Sequence, residues 1–158
     1  MVDLQRASPY FAIPLYSKED ENLIHMVCEI PKGTVEKMEV NFDDDDHAIM
    51  QDITDEGRLR VYKHGAMPYN YGMLPQTYQD PEYECERTGL EGDGDPLDVI
   101  EIGSQTLNVG EVVKIKPLGV LALVDEGEID WKIIGINAKD DMAAHLEGKL
   151  LSDCSGTL

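Results

Sequence analysis

Along this chain the apolar positions fall in short stretches that alternate with polar ones. Val, Ile and Leu recur in this way over Leu23 to Ile30, Lys37 to Phe42, Arg58 to Tyr62, Leu97 to Ile102, Val112 to Lys116, Leu118 to Val124 and Trp131 to Ile136. Alternation turns one side of an extended chain toward a core and the other toward water, so each stretch predicts a β-strand. Gly, Pro and Asp clusters separate the stretches, and the one helix predicted is short, around Asp140 to Glu147. Many short strands with so little helix predict a mainly β fold, a barrel or sandwich with a minor helical part. Pro117 lacks a ladder donor and predicts a bend or edge between the strands on either side of it. Leu118 to Val124 and Trp131 to Ile136 then predict a hairpin.

Length and charge narrow this picture. A chain of 158 residues suits one domain with a single core, taken here as 1–158. Thirteen Lys and Arg stand against thirty-two Asp and Glu, a formal charge of −19. That balance speaks against nucleic-acid and anionic-membrane partners, which need a basic footprint. The longest apolar run, Leu118 to Val124, is too short to span a bilayer, and no basic stretch followed by an apolar one opens the chain. A soluble, cytoplasmic protein is the expectation. Cys28, Cys85 and Cys154 have no zinc-ligand spacing and read as free thiols of a reducing compartment. The tract Asp43-Asp44-Asp45-Asp46 reads as a solvated loop.

The chemistry concentrates in Glu91-Gly92-Asp93-Gly94-Asp95-Pro96-Leu97-Asp98-Val99. Carboxylates this close raise one another's pKa and destabilise the fold unless a cation, a proton or hydrogen bonds compensate, and hard oxygen donors suit Mg²⁺, Mn²⁺ or Ca²⁺. An EF-hand loop starting at Asp93 fails, because its fifth, sixth and twelfth positions are Leu97, Asp98 and Ser104. A dinucleotide fingerprint fails as well, since the glycines neither follow a clear strand nor open a helix. A second acidic group, Asp125-Glu126-Gly127-Glu128-Ile129-Asp130-Trp131-Lys132, lies in the predicted hairpin, with Asp125 and Asp130 flanking the turn. Two acidic clusters beside a lysine suit divalent ions that receive a polyanion, the arrangement used to transfer phosphoryl groups to water.

Those residues carry a resemblance. Gly92 to Val99 is similar to the D-x-D-P-x-D signature of the family I soluble inorganic pyrophosphatases, and further matches follow in that family's order. They are Glu29-Ile30-Pro31, Lys37-Met38-Glu39, Arg58-Leu59-Arg60-Val61, Asn70 to Thr77, and Asp125 to Lys132, closer to the eukaryotic type. The resemblance implies an OB-like β-barrel with peripheral helices and Mg²⁺-dependent hydrolysis of pyrophosphate to phosphate, with Mn²⁺ as a substitute. It makes Asp93, Asp98 and Asp130 metal ligands, with Asp125 supporting them. Asp95 would be the general base, taking a proton from a water whose pKa the metal ions lower. Lys37, Arg60 and Lys132 would hold the phosphates, Glu29 and Glu39 would hold metal-bound waters, and Tyr71 would donate to phosphate. His25, His47, His64 and His145 receive no role.

Set against that family, the segment between Arg60 and the Asn-Tyr-Gly motif is short, and Met67 stands where a tyrosine is common. The family's C-terminal helix and phosphate-binding Tyr-Lys pair have no counterpart here, where the chain ends in the polar tail Ser152 to Leu158. A shortened C-terminus is therefore expected, with apolar barrel surface left exposed and oligomerisation or poor solubility as its consequence, while the resemblance implies a homo-oligomer, dimer or hexamer. The alternative reading is a catalytically weak paralogue that binds divalent metal and phosphate ligands or pairs with a full-length enzyme. A plain OB-fold oligonucleotide binder is disfavoured by the charge.

Overall fold

The computed structural model describes residues 8–147; the tail Ser152 to Leu158, with Cys154, lies outside the described residues. Among the described residues seven strands run in chain order: β1 Ile24–Ile30, β2 Met38–Val40, β3 Ile49–Gln51, β4 Asn70–Met73, β5 Asp98–Glu101, β6 Val112–Asp125 and β7 Glu128–Asn137. Five of them close a barrel in the order β1-β4-β5-β7-β6, with β6 returning to β1, while β2 and β3 form a separate antiparallel pair. Pairing within the barrel is antiparallel except between β5 and β7, which run parallel with Asp98 opposite Lys132. The expected mainly β barrel is what forms.

Alternation along β1 builds two cores. Met26 and Cys28 enter one cluster with Leu74, Val99, Leu107 and Ile115, whereas Val27 between them enters a second with Tyr10, Val40 and Met73. The strand is thus buried on both faces toward its end. At that end the register with β4 slips between Cys28 and Ile30, so Glu29 is the extra residue of a bulge. Bulges re-aim side chains, and here the Glu29 carboxylate turns to accept a hydrogen bond from the Val40 amide at 2.9 Å.

Strand β4, Asn70-Tyr71-Gly72-Met73, has no alternation to reveal it. It is a strand because of what surrounds it. A Cβ on Gly72 would sit 2.0 Å from the Val27 carbonyl oxygen, so only glycine lets β1 and β4 pair this closely. Next to it, fully buried Asn70 uses every polar valence: Oδ1 accepts from the amides of Lys32 and Leu107, and Nδ2 donates to Glu101 and to the Gln105 carbonyl. Glu101, also buried, accepts in addition from the Gly103 and Asn137 amides. These bonds tie β4, β5 and the end of β7 to the loops beside them.

Three expectations are corrected. Val112 to Lys116 and Leu118 to Val124 are one strand, β6, because Pro117 is absorbed by a register shift against β7 between Pro117 and Gly119. Arg58 to Tyr62 forms no continuous strand: Leu59 bridges Ile53 while Val61 bridges Glu36, so its pairing divides between two partners. The helix expected over Asp140 to Glu147 is a 3-10 turn, Asp141–Ala144, capped by Asp140. The β6–β7 hairpin forms as expected, turning on Glu126 and Gly127, both with positive φ.

Replacing Asn70 by Leu strands the buried Leu107 amide, the part-buried Lys32 amide and part of the Glu101 carboxylate. Each such group left unsatisfied costs about 1–3 kcal/mol, so Asn70→Leu should lose about 3 kcal/mol or more in urea unfolding. A loss near zero would show that this network does not hold the barrel closed.

Candidate active site

One cleft of about 1130 Å³ opens between the barrel wall and the β2–β3 arm. All the candidate side chains line it: Glu29, Lys37, Glu39, Arg60, Tyr71, Asp93, Asp95, Asp98, Asp125, Asp130 and Lys132. They do not form a single knot. Barrel strands carry Glu29, Tyr71, Asp98, Asp125, Asp130 and Lys132, the loop before β5 carries Asp93 and Asp95, and Lys37, Glu39 and Arg60 belong to the arm.

The acidic wall follows from strand register and one tight loop. Asp98 starts β5 directly opposite Lys132 of the parallel β7, and Asp130 lies two residues before Lys132, on the same face. The Lys132 ammonium pairs with Oδ2 of both Asp98 and Asp130 and stands 5.4 Å from the Tyr71 ring centroid. Asp125, opposite Glu128 at the end of the hairpin, is exposed at the rim. Asp93 and Asp95 sit on a loop pressed against Gln79, whose backbone accepts from the Gly94 amide and donates to the Asp95 carbonyl. A Cβ on Gly92 would meet the Gln79 carbonyl at 2.4 Å, and Gly94 has φ +83, so both glycines are required by this geometry.

Crowding of like charge sets the electrostatics. Burial raises Asp98, with Lys132 opposing the shift and Asp130 adding to it. Asp93 is raised mainly by burial. Asp95, exposed as a residue but with its carboxyl set down among other acids, is pushed up to about 6, first by lost hydration and then by Asp93, Asp98 and Glu39. Fully buried Glu29 is raised well above the usual carboxylate range by burial and then Asp98. Tyr71 is likewise raised, by burial first and Asp98 next, so its hydroxyl stays protonated. For Lys132, burial opposes the charge, but Asp98 and Asp130 outweigh it and hold the ammonium.

A hard divalent cation fits this donor set, because Asp130 Oδ1 is buried without a hydrogen-bond partner and the groups around it are carboxylates. Among the described residues no three such groups are gathered at ligating distance, and a lysine ammonium lies between Asp98 and Asp130. The wall is thus a carboxylate array with an internal counter-ion.

Two residues escaped the sequence reading. Buried Gln79 donates to Asp93 Oδ1 at 3.1 Å and accepts from the Trp131 amide at 2.7 Å, joining the acidic loop to β7. Asp52 accepts from both Lys37 and Arg60. Gln79 lies two residues past the Asn70 to Thr77 motif, so extending that motif would have reached it; Asp52 has no comparable signal. Met67 is buried in the cleft wall, where Tyr62 and Tyr69 also appear. His64 lies exposed at the cleft, His25 bonds the Pro14 carbonyl, His47 packs against Phe11 and Phe42, and His145 closes the 3-10 turn.

Comparison with known proteins bears on this arrangement. The sequence model of the family described as Inorganic pyrophosphatase matches residues 26–158. A chloroplastic soluble inorganic pyrophosphatase 1 of Chlamydomonas reinhardtii is 46% identical over 140 residues, which cover 89% of this chain and 49% of that protein. The type I inorganic pyrophosphatase of Toxoplasma gondii superposes with a TM-score of 0.85 at 43% identity, covering 90% of this chain and 63% of that one. An N-terminally truncated vacuolar soluble pyrophosphatase of Trypanosoma cruzi, solved in complex with PPi, gives 0.85 at 39% identity, covering 90% and 57%. The chain spans about half the length of the curated relatives it matches.

Asp95 gives the cation-free protein a pH signature, with an ordinary value of 3.8 and a folded value of about 6. Below about pH 4 both folded and unfolded states hold the proton, so the shift contributes nothing. As pH rises toward about 6 the unfolded chain releases a proton that the folded chain keeps, and stability falls until the full penalty stands. Asp95→Asn removes the charge, so in chelator at about pH 7.5 its thermal midpoint should exceed the wild-type value, the two converging below about pH 4. Equal midpoints at the higher pH would mean that this carboxyl is solvated like a surface aspartate.

Proposed function

We propose, from the premise that this chain belongs to the inorganic pyrophosphatase family, that it hydrolyses inorganic pyrophosphate to two phosphates. The observation that carries the reading is the convergence of every candidate polar side chain, from Glu29 to Lys132, on one cleft, with carboxylates gathered around Lys132 on the barrel side and Lys37 and Arg60 reaching in from the arm. The Trypanosoma cruzi relative in complex with PPi supports the choice of ligand.

Each residue then has a role its surroundings suit. Asp93, Asp98 and Asp130, with Asp125 at the rim, would hold Mg²⁺, or Mn²⁺ in its place. These ions would neutralise phosphate oxygens and lower the pKa of water. Asp95, raised to about 6, is ionised near neutral pH yet basic enough to accept the proton of the attacking water. Tyr71 keeps its hydroxyl proton and so can donate it to a phosphate oxygen. Lys132 offsets the charge of Asp98 and Asp130 and presents an ammonium to the ligand. Lys37 and Arg60 grip phosphate oxygens from the arm, the guanidinium being suited to two parallel hydrogen bonds. Glu29 and Glu39 hold water at the margin of the carboxylate array. Free Cys28 and Cys85 suit a reducing, cytoplasmic setting, and a homo-oligomer is part of the same reading.

Phosphate release from pyrophosphate by the 158-residue chain, with Mg²⁺ titrated from zero, tests the reading. Release should require Mg²⁺, stop on chelation, and fall by about a hundredfold or more in Asp95→Asn, the range lost with a general base. A folded wild-type chain that binds Mg²⁺ and pyrophosphate but releases no more phosphate than Asp95→Asn would overturn catalysis and leave a binding protein.

A further inference from the structure

Asp52 does not line the cleft, yet it touches both basic residues that reach into it from the arm. The backbone brings the three together first. Lys37 and Asp52 extend the β2–β3 ladder by one step, the Asp52 amide donating to the Lys37 carbonyl at 2.9 Å. The Arg60 amide donates to the Asp52 carbonyl at 2.8 Å, and the Lys37 amide to the Arg60 carbonyl at 3.1 Å. Three separate segments are thereby fixed at one level.

The side chains repeat that closure. A single oxygen, Asp52 Oδ2, accepts from Lys37 Nζ at 2.9 Å and from Arg60 Nη1 at 2.5 Å, while Oδ1 accepts from the Ile53 amide at 2.6 Å. The carboxylate is therefore pinned by its own backbone neighbour before it holds either cation. Its side chain is only 15% exposed, against 49% for Arg60, so the anion is the sheltered member and the guanidinium the presented one. Glu39 also accepts from the Lys37 ammonium, at 2.7 Å.

We infer that Asp52 is a positioning residue for the anion-binding pair: it stands behind the cleft and holds Lys37 and Arg60 at one point, so that they meet a phosphate ligand as one preformed clamp. The inference rests on the pyrophosphatase reading for the identity of the ligand and on the geometry alone for the clamp. Two long cationic side chains would otherwise repel each other and each lose rotamer freedom on binding. A carboxylate acting only through its charge has the opposite effect, since a negative group near the cleft opposes an anion. The two roles therefore predict opposite signs.

The test uses the full chain, imidodiphosphate with Mg²⁺ as a non-hydrolysed probe, and three variants. Asp52→Asn removes the charge with little change of shape, Asp52→Glu keeps the charge but displaces it, and Asp55→Asn removes an exposed charge that does not line the cleft. Thermal melts report folding in each case. Positioning predicts that Asp52→Asn and Asp52→Glu both weaken probe binding, and raise KM for pyrophosphate, by about tenfold, the scale of one charge-assisted hydrogen bond, with kcat changed by less than about threefold. Asp55→Asn stays at the wild-type value. Tighter binding by Asp52→Asn, or wild-type binding by Asp52→Glu, overturns the inference.

Side-chain NMR of ¹⁵N-arginine separates this from failure of the functional reading. The Arg60 guanidinium should be rotationally restricted in the wild-type chain and released in Asp52→Asn, whether or not pyrophosphate turns over. Restriction without turnover upholds the clamp and removes the hydrolase. Equal mobility in both proteins removes the clamp even if hydrolysis is rapid.

Discussion

Taking several carboxylates out of water onto one surface is unfavourable unless something positive stands among them, and the architecture of this protein turns on how it meets that constraint. In the barrel wall the something is Lys132, placed between Asp98 and Asp130. On the arm the arrangement is inverted, with an anion between two cations. The cleft thus has two walls of opposite character, each with its own counter-ion. The wall is less well satisfied than the arm: Asp130 keeps a buried oxygen without a partner, and Asp95 and Glu29 are both driven toward protonation. Unmet demand for positive charge is what suits this surface to divalent cations.

The barrel core is handled differently, which shows that the imbalance is local. Buried Glu101 and Asn70 find full sets of partners and lie away from the cleft. The two kinds of buried acid are separated by one strand: β5 begins with Asp98, aimed into the cleft, and ends with Glu101, inside the network that closes the barrel. Their sequence spacing of three places them on opposite faces of the strand. A strand four residues long therefore serves site and scaffold at once.

Rigidity is also unevenly distributed. Asp98, Asp130 and Lys132 stand on barrel strands whose register fixes their spacing, an arrangement more exact than loops provide. Lys37 and Arg60 stand on a two-stranded arm extended by isolated bridges, with Ile53, Leu59 and Val61 exposed along it. Small antiparallel pairs of this kind have little stability of their own; Val40 and Ile49 pack one end of this pair onto the core, and the hydrogen bonds through Asp52 tie the other.

Much of this was legible in the sequence for identifiable reasons. Alternation marked β1, β5, β7 and both halves of β6, because half-buried strands impose a two-residue period. The glycines and carboxylates of Gly92 to Asp98 announced the acidic loop, since so much like charge beside a tight turn has few other uses. Strand β4 was hidden because Asn70 and Gly72 are poor strand formers chosen by their neighbours: Gly72 by the Val27 carbonyl, Asn70 by four partners far away in the chain. Arg58 to Tyr62 alternates like a strand but divides its pairing between two segments, which no local pattern records. Asp52 and Gln79 were missed because each matters only through residues that folding brings to it. By itself the sequence determined the chemical inventory and the β character, which depend on residue type and local period. The meeting of Lys37, Asp52 and Arg60, and the placing of Lys132 between two aspartates, were decided only in the tertiary structure, because strand register sets which distant side chains share a point in space.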